Sequence, residues 1–526
     1  MLFLNRKSIA FGSWIIGLSV VLGLAGWRIF ELGRGNTFFF DEWNFLLERS
    51  SPSLESLLRH HNGHLSPVPV LLYQVLLRLF GAGTYLPFRG LALILHCGIA
   101  LSAAVMVRRR AGYTASLTAA GVIAFMGAGW QNWLWGFQMG MQLSILSGLV
   151  AVVLVTGEKT PIRQWCVIGL LTLSVASSGV GVSVVVGAVV FAWRRHWRLV
   201  IKASAIMAVI YVVWSVTYGD SQASSDNIRL IPSFVARSAA AVMAGIGGWD
   251  LAIGGVLAGV IALLVVRKST TSLTSMPEVP VLAVILIVGW LLSALSRGQF
   301  NEPGASRYVH VGVSFAVPLI VLVVVGKRRA FSTSIALVLV GLVAIGGSWD
   351  IADAAGREFR DRSAIVRAEL TAMMHVTDLI EDQYQPDLSR APQISFGKFE
   401  EFARRFDVPV MSPQEIKQAP EFARFEMDRV YLEATVVALG DSPRPVGWDC
   451  RISVPNEVIK VDAGHRLWVS GVHSVEVRRM AKQAHSLTPS SPGAPSMMRF
   501  GLDLNPRPWV VRFVSAADAQ VCRPKT

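Results

Sequence analysis

Stretches of about twenty apolar residues recur through the first 350 positions, separated by short turns rich in Arg and Lys. A lipid core offers no water to backbone N–H and C=O groups, so such segments have to be helices that thread the bilayer. They lie near 9–29, 87–107, 112–129, 138–156, 164–178, 180–193, 199–217, 250–266, 279–296, 309–326 and 331–348. That makes about eleven transmembrane helices by length and apolarity, of which 164–178 and 180–193 are short enough to be re-entrant. The composition agrees: 52% of the 526 residues are hydrophobic and 16% charged, too apolar for a soluble chain of this length.

The net charge of +14 would suit nucleic acid, but its placement argues for a membrane instead. Much of the base sits in Arg6-Lys7, Arg108-Arg109-Arg110, Lys159 with Arg163, Arg194-Arg195 with Arg198 and Lys202, Arg267-Lys268, and Lys327-Arg328-Arg329. With a cytoplasmic N-terminus every one of these turns falls on the cytoplasmic side, as the positive-inside rule requires. The expected location is therefore the cytoplasmic (inner) membrane, multi-pass, with the C-terminus extracytoplasmic. The first span has a basic start but no small-x-small cleavage site, and reads as a retained signal anchor.

Residues 1–350 thus form the membrane domain, and its first outer loop, 30–86, is long. Within it Pro67 to Phe80 is apolar but too short to cross, and a helix lying along the membrane surface is expected. The 218–249 connection turns apolar at Ala239–Ile246, a second surface helix. Residues 351–526 read as an extracytoplasmic α+β domain, helical over 351–440 and β-rich over 441–526. Helical spacing runs through Ile365, Leu370, Met373, Met374 and Ile380, with short helices around Phe399–Phe406 and Gln414–Glu426. Alternation at Arg466–Val472, Ser474–Arg478, Met498–Leu504 and Trp509–Val514 predicts the strands of a small sandwich, while 484–496 has loop composition. Cys97 and Cys166 lie in apolar spans and are expected to be buried thiols. Cys450 and Cys522 lie in the outer domain, where a disulfide can persist.

The chain has no phosphate loop, H-E-x-x-H or C-x-x-C motif, and Gly179-Val-Gly181 lacks the third glycine of a dinucleotide loop. Its chemistry-bearing residues collect at the outer face. Asp41-Glu42 follows the first span; a carboxylate there can act as general base or metal ligand, or be a solvated pair that meets Arg34. His60, His61 and His64 share that loop, in a spacing that fits no tight zinc motif; His64 shaping a pocket is the simpler reading. Arg307-Tyr308 opens a span, where an Arg can hold a phosphate or anchor the interface. The turn Trp130-Gln131-Asn132-Trp133-Leu134-Trp135-Gly136-Phe137-Gln138 offers an aromatic belt or, alternatively, Trp130 and Trp135 to stack on a sugar with Asn132 and Gln138 amides for its hydroxyls. His96, inside a span, reads as a neutral hydrogen-bonded core histidine.

Asp41-Glu42, then His64, Pro67 and Pro69, the surface helix Leu71–Arg78, Leu79-Phe80-Gly81 and Arg89 follow one another over 38–110 in an order that resembles the GT-C fold of integral-membrane glycosyltransferases. That class includes the protein O-mannosyltransferases and the lipid A aminoarabinose transferases. Phe40-Asp41-Glu42-Trp43, the Gln131–Gln138 turn and Ala305-Ser306-Arg307-Tyr308 look like a bacterial branch of it. The resemblance implies a glycosyltransferase that moves a sugar from a polyprenyl-phosphate donor to an envelope glycan, glycolipid or protein acceptor, with inversion. Asp41 would be the base, Glu42 its orienting partner and Arg307 the counter-charge to the departing phosphate. Tyr308, His64, Arg89, Trp130, Asn132, Trp135 and Gln138 would line the substrate site. No cofactor is required by the resemblance; the three-histidine cluster leaves a divalent metal open. The C-terminal domain would cover the cavity, bind acceptor glycan or serve structure alone. Membrane lipid is the remaining expected partner. A flippase or transporter of a lipid-linked or polyanionic envelope precursor is the alternative, disfavoured by spans nearly free of acids; a non-catalytic assembly protein is a third.

Overall fold

The computed structural model describes residues 6–220, 223–272, 276–325, 331–376, 381–454, 456–488, 493–501, 507–514 and 519–524. It divides into two compact units. The first comprises Met1–Arg34, Glu48–Leu79 and Leu86–Phe359; the second Gly35–Leu47, Phe80–Tyr85 and Arg360–Thr526.

The first unit is helical. Arg6–Leu32, Leu86–Ala111, Met139–Val155, Arg198–Tyr218, Leu251–Ser272, Glu278–Arg297 and Ser306–Val325 coincide with expected spans. Phe331–His375 runs unbroken for 45 residues. Among the described residues eight helical segments are long and apolar enough to cross a membrane, with Ser225–Gly247 among them and Leu251–Arg267 among the shorter apolar helices. Their outward faces are apolar too: Arg198–Tyr218 exposes Ile206, Val209, Ile210, Val213 and Val216, a surface that suits lipid and not water. The chain is a multi-pass membrane protein.

The core lies where Leu86–Ala111, Met139–Val155, Val180–Arg194, Glu278–Arg297 and Ser306–Val325 meet. Small residues let the helices approach: a Cβ on Gly148 would meet Val184 at 2.8 Å, and one on Gly312 would meet Val242 at 2.2 Å. Glu278, 2% exposed, is paired with Arg110 at 2.9 Å, so this acid enters the bundle neutralised.

Several expectations need correction. The spans expected at 112–129, 164–178 and 180–193 are helices Tyr113–Ala124, Pro161–Val175 and Val180–Arg194, of 12, 15 and 15 residues. At 1.5 Å per residue these fall short of the roughly 30 Å hydrocarbon core. Cys166 is exposed and Cys97 intermediate. Pro161–Val175 turns only the stripe Val167, Leu171 and Ser174 inward, and Cys166 sits off it beside exposed Ile162 and Trp165. The surface helix expected at Ala239–Ile246 is Ile231–Gly247. It starts beside the 298–305 connection, where Arg237 donates to Asn301 at 2.5 Å, and ends where a Cβ on Gly248 would meet the Gly347 carbonyl at 2.3 Å. Gly127 abuts Ser348, so both helix ends lie at the end of the bundle that carries the 127–138 turn. Together with Ser225–Leu230, Ile231–Gly247 makes a segment long and apolar enough to cross a membrane.

In the second unit, helices Phe396–Ala403, Pro413–Gln418 and Glu421–Thr435 precede a two-sheet sandwich. Its strands are β1 Val436–Asp441, β2 Asp449–Ser453, β3 Val458–Val461, β4 Arg466–Ser470, β5 Ser474–Arg478, β6 His485–Leu487, β7 Ser496–Phe500, β8 Trp509–Val514 and β9 Ala519–Arg523. One sheet has the order β1-β7-β4-β9-β2 and the other β3-β8-β5-β6, with every pairing antiparallel. β6 lies inside the segment expected to be loop; of that segment 489–492, like part of the strand expected through Leu504, lies outside the described residues. Cys450 and Cys522 face each other across β2 and β9 and are disulfide-bonded, with S–S 2.06 Å. Asp428, fully buried, accepts the N–H groups of Arg479, Met480 and Ala481 at 2.9, 2.8 and 2.9 Å and so ties Glu421–Thr435 to the sandwich.

Candidate functional site

The acidic pair belongs to the second unit. Residues 36–39 have no regular secondary structure, Phe40 takes φ +49°, and Glu42 opens helix Glu42–Glu48. A left-handed backbone at a bulky residue is strained and persists only where its surroundings enforce it. The two carboxylates then diverge. Glu42 is 0% exposed. It accepts the Phe39 N–H at 2.8 Å and the Tyr85 hydroxyl at 2.9 and 3.1 Å. Glu42 thus closes a turn by reaching back to a backbone N–H three residues earlier. Phe38 packs edge-on against Tyr85 and Trp43, at 4.9 and 5.7 Å, and closes the pocket around Glu42. Asp41, one residue earlier, is partly exposed. Buried and saturated, Glu42 suits a positioning role; Asp41 has the access that proton transfer needs.

The first unit contains a cavity of about 310 Å³. His64, Tyr308 and Arg297 line it, along with a run on helix Glu278–Arg297 that includes Ile285, Leu286 and Trp290. Twelve residue steps separate Ile285 from Arg297 on that helix, about 18 Å at 1.5 Å each. The cavity is therefore apolar along mid-helix and meets Ser293, Ser296 and Arg297 at the helix end, with Asp220 also in its lining. Such a surface suits a molecule with an apolar chain and an anionic head.

A two-residue hairpin places His64. Asn62 and Gly63 have φ +50° and +76°, and His61 and His64 exchange backbone hydrogen bonds at 3.0 and 2.9 Å. Asn-Gly with both φ positive is the type I′ turn. Arg297 donates to the Asn62 carbonyl at 3.2 Å, which brings its charge to the hairpin. Burial first, then Arg297 and His61, push the His64 imidazole down to about 4, so it meets the cavity uncharged at neutral pH. His61 instead packs on Phe137, ring centroids 5.0 Å apart. Among the described residues no group of three or more His, Cys, Asp or Glu is arranged to hold a metal, so the three histidines do not converge.

Arg307 and Tyr308 part company. Tyr308 lines the cavity, whereas Arg307 lies over the Tyr308 ring at 4.9 Å and reaches Gln131 Oε1 at 3.5 Å. Gln131 accepts the Arg307 N–H and donates its own to Ser306 Oγ, at 3.2 and 3.1 Å, so it clamps the start of helix Ser306–Val325. Arg89, 6% exposed, donates to the Phe30 carbonyl at 3.0 Å and fills the space beside Gly33. That is a C-terminal cap on the first helix. In the tryptophan turn, Trp133 and Trp135 are buried, and Trp133 donates to the Met126 carbonyl at 3.2 Å. Neither ring forms a belt, because the short helix Trp130–Leu134 folds them into the bundle; Trp130 keeps partial exposure. Asn132 and Gln138 are buried, and neither amide atom of Asn132 has a hydrogen-bond partner.

Two residues were not singled out from the sequence. His310 Nε2 lies 3.1 Å from His96 Nδ1, while His96 Nε2 lies 3.2 Å from the Ala124 carbonyl. A carbonyl only accepts, so His96 Nε2 carries the proton and His310 Nε2–H donates to His96 Nδ1. Arg297 had a signal: it is a cation at a span end that lacks the other basic turns.

No protein-family model matches the chain, and no curated protein matches it. A similar solved structure is that of ArnT from Cupriavidus metallidurans bound to undecaprenyl phosphate. It is 14% identical, with 76% of this chain and 85% of that chain covered, at a TM-score of 0.47.

Proposed function

We propose that this protein is a GT-C-class membrane glycosyltransferase that moves a sugar from a polyprenyl-phosphate donor to a glycan, glycolipid or protein acceptor of the cell envelope. The work is done at the outer face of the cytoplasmic membrane. The observation that carries this reading is the cavity that runs from apolar mid-helix residues to Arg297, Tyr308 and His64. An isoprenoid chain suits the first part and a phosphate the second. The order of Asp41, Glu42, His64 and Arg89 along the chain gives independent support.

In this mechanism Asp41 accepts the proton of the acceptor hydroxyl as its oxygen bonds to the anomeric carbon. The bond from that carbon to the phosphate oxygen breaks with inversion, and its electron pair leaves on the polyprenyl phosphate. Arg297 is assigned the growing phosphate charge, an electrostatic role that needs no metal. Neutral His64 and Tyr308 serve as hydrogen-bonding partners. Arg307, engaged by Gln131, is assigned to shaping the helix start.

The reaction is identified by comparing envelope glycans with and without the gene by mass spectrometry. In membranes that carry out the transfer so found, Asp41→Asn should lower the rate by roughly 10²–10⁴-fold with normal membrane insertion. Arg297→Ala should weaken donor dependence more than Arg307→Ala does. Full activity in Asp41→Asn would remove the catalytic assignment.

A further inference from the structure

We propose that Asp387 is a positioning residue for Asp41: it builds the turn whose carbonyl holds Phe40 left-handed and thereby sets the carboxylate of the next residue. The inference rests on the reading of Asp41 as the base.

The turn at 387–390 is organised by one side chain. Asp387 Oδ1 accepts the Ser389 N–H at 2.7 Å, the Ser389 hydroxyl at 2.7 Å and the Arg390 N–H at 2.9 Å. Its Oδ2 accepts from Arg390 Nη1 at 2.5 Å. Four donors on one carboxylate that is 7% exposed leave the turn a single geometry. Burial pushes this carboxyl up, but the hydrogen bonds from Ser389 and Arg390 outweigh it and hold the group below the ordinary range, so it stays ionised. The product of the turn is the Arg390 carbonyl, which accepts the Phe40 N–H at 3.0 Å. Phe40 is the strained residue, at φ +49°, and Asp41 follows it.

A phenylalanine relaxes out of the left-handed region unless it is held there; Glu42 ties residue 42 back to the Phe39 N–H and to Tyr85, while the Phe40 N–H itself is taken by the Arg390 carbonyl. The Asp387 turn supplies the hold from the Phe40 side. Relaxing φ at Phe40 swings the backbone that carries Asp41 while Glu42 stays in its pocket. Misplacement of a base by about 1 Å lowers rates by up to roughly a hundredfold.

The test is a double-mutant cycle, read as the transfer rate in native membranes with their own donor and acceptor. Asp387→Ala should slow transfer about tenfold or more. Phe40→Gly takes up the left-handed backbone without the steric cost, so in that background Asp387→Ala should slow transfer by no more than about threefold. Asp387→Asn, which keeps an acceptor for the Ser389 and Arg390 N–H groups, should retain more activity than Asp387→Ala. Equal losses from Asp387→Ala in both backgrounds would overturn the proposal, because a purely structural role is indifferent to residue 40. So would no loss at all. If Asp41→Asn itself remains active, the reading of the base fails instead, and the two outcomes are told apart.

Discussion

Replacing His64 with Gln should flatten the acid side of the stability profile. In the folded protein, burial and then the neighbouring Arg297 and His61 hold the imidazole at about 4, below its ordinary 6.5. The unfolded chain therefore takes up the proton near pH 6.5 and the folded protein only near pH 4. Between these values the unfolded state binds more protons. The contribution is complete above 6.5 and is lost as pH falls toward 4. At about pH 4.5 the difference amounts to about 2.5 kcal/mol for a single site. Solvent reaching the partly exposed ring brings this to about 2 kcal/mol, or about 2 °C in Tm for a chain of this length. The assay is thermal unfolding of purified protein in detergent, followed by tryptophan fluorescence, at about pH 7 and about pH 4.5. Wild type should lose about 2 °C more than His64→Gln between the two conditions, whatever the substitution does at neutral pH. Parallel losses would refute the reasoning, since they would mean that His64 protonates alike in folded and unfolded chains.

Two further outcomes follow from buried geometry. Tyr85→Phe removes the hydroxyl that meets Glu42 at 2.9 and 3.1 Å, and should destabilise the protein by about 1.5–3 kcal/mol in a denaturant titration. A change below about 0.5 kcal/mol would mean that Glu42 does not depend on Tyr85. Reducing the Cys450–Cys522 bond frees a loop spanning 72 positions and should cost about 4 kcal/mol by chain entropy, seen as a lower Tm of the sandwich with reductant. An unchanged Tm in the reduced protein would contradict this.

What could be read from the sequence was what local pattern determines. Apolar length and basic turns locate helices such as Leu86–Ala111 and Glu278–Arg297, because a lipid-facing segment must satisfy its own backbone. Alternation places Ser474–Arg478 and Trp509–Val514 to the residue, since each strand buries one face. The edge strands β2 and β3, and the three-residue β6, lacked that signal. Part of what makes them strands is pairing with β9, β8 and β5, which is long-range.

The site divides along the same line. Asp41 and Glu42 stood out as paired acids beside an apolar span, and the family resemblance put Asp41 first as the base. That Glu42 is buried while Asp41 keeps partial exposure could not be read. That separation depends on Tyr85, 43 residues beyond Glu42, and on a carbonyl at Arg390 that meets Phe40. Phenylalanine carries no sequence mark of a positive φ, as glycine or asparagine does in the Asn62-Gly63 turn. Arg297 marks the other limit. It breaks the positive-inside pattern, and a cation on the side with few of them needs an electrostatic reason. Arg307 lies in the same connection, but the cavity lining includes Arg297 and not Arg307. A cation at a span end can be picked out from sequence, but whether it lines a cavity is decided by tertiary packing, as the lining by Arg297 shows.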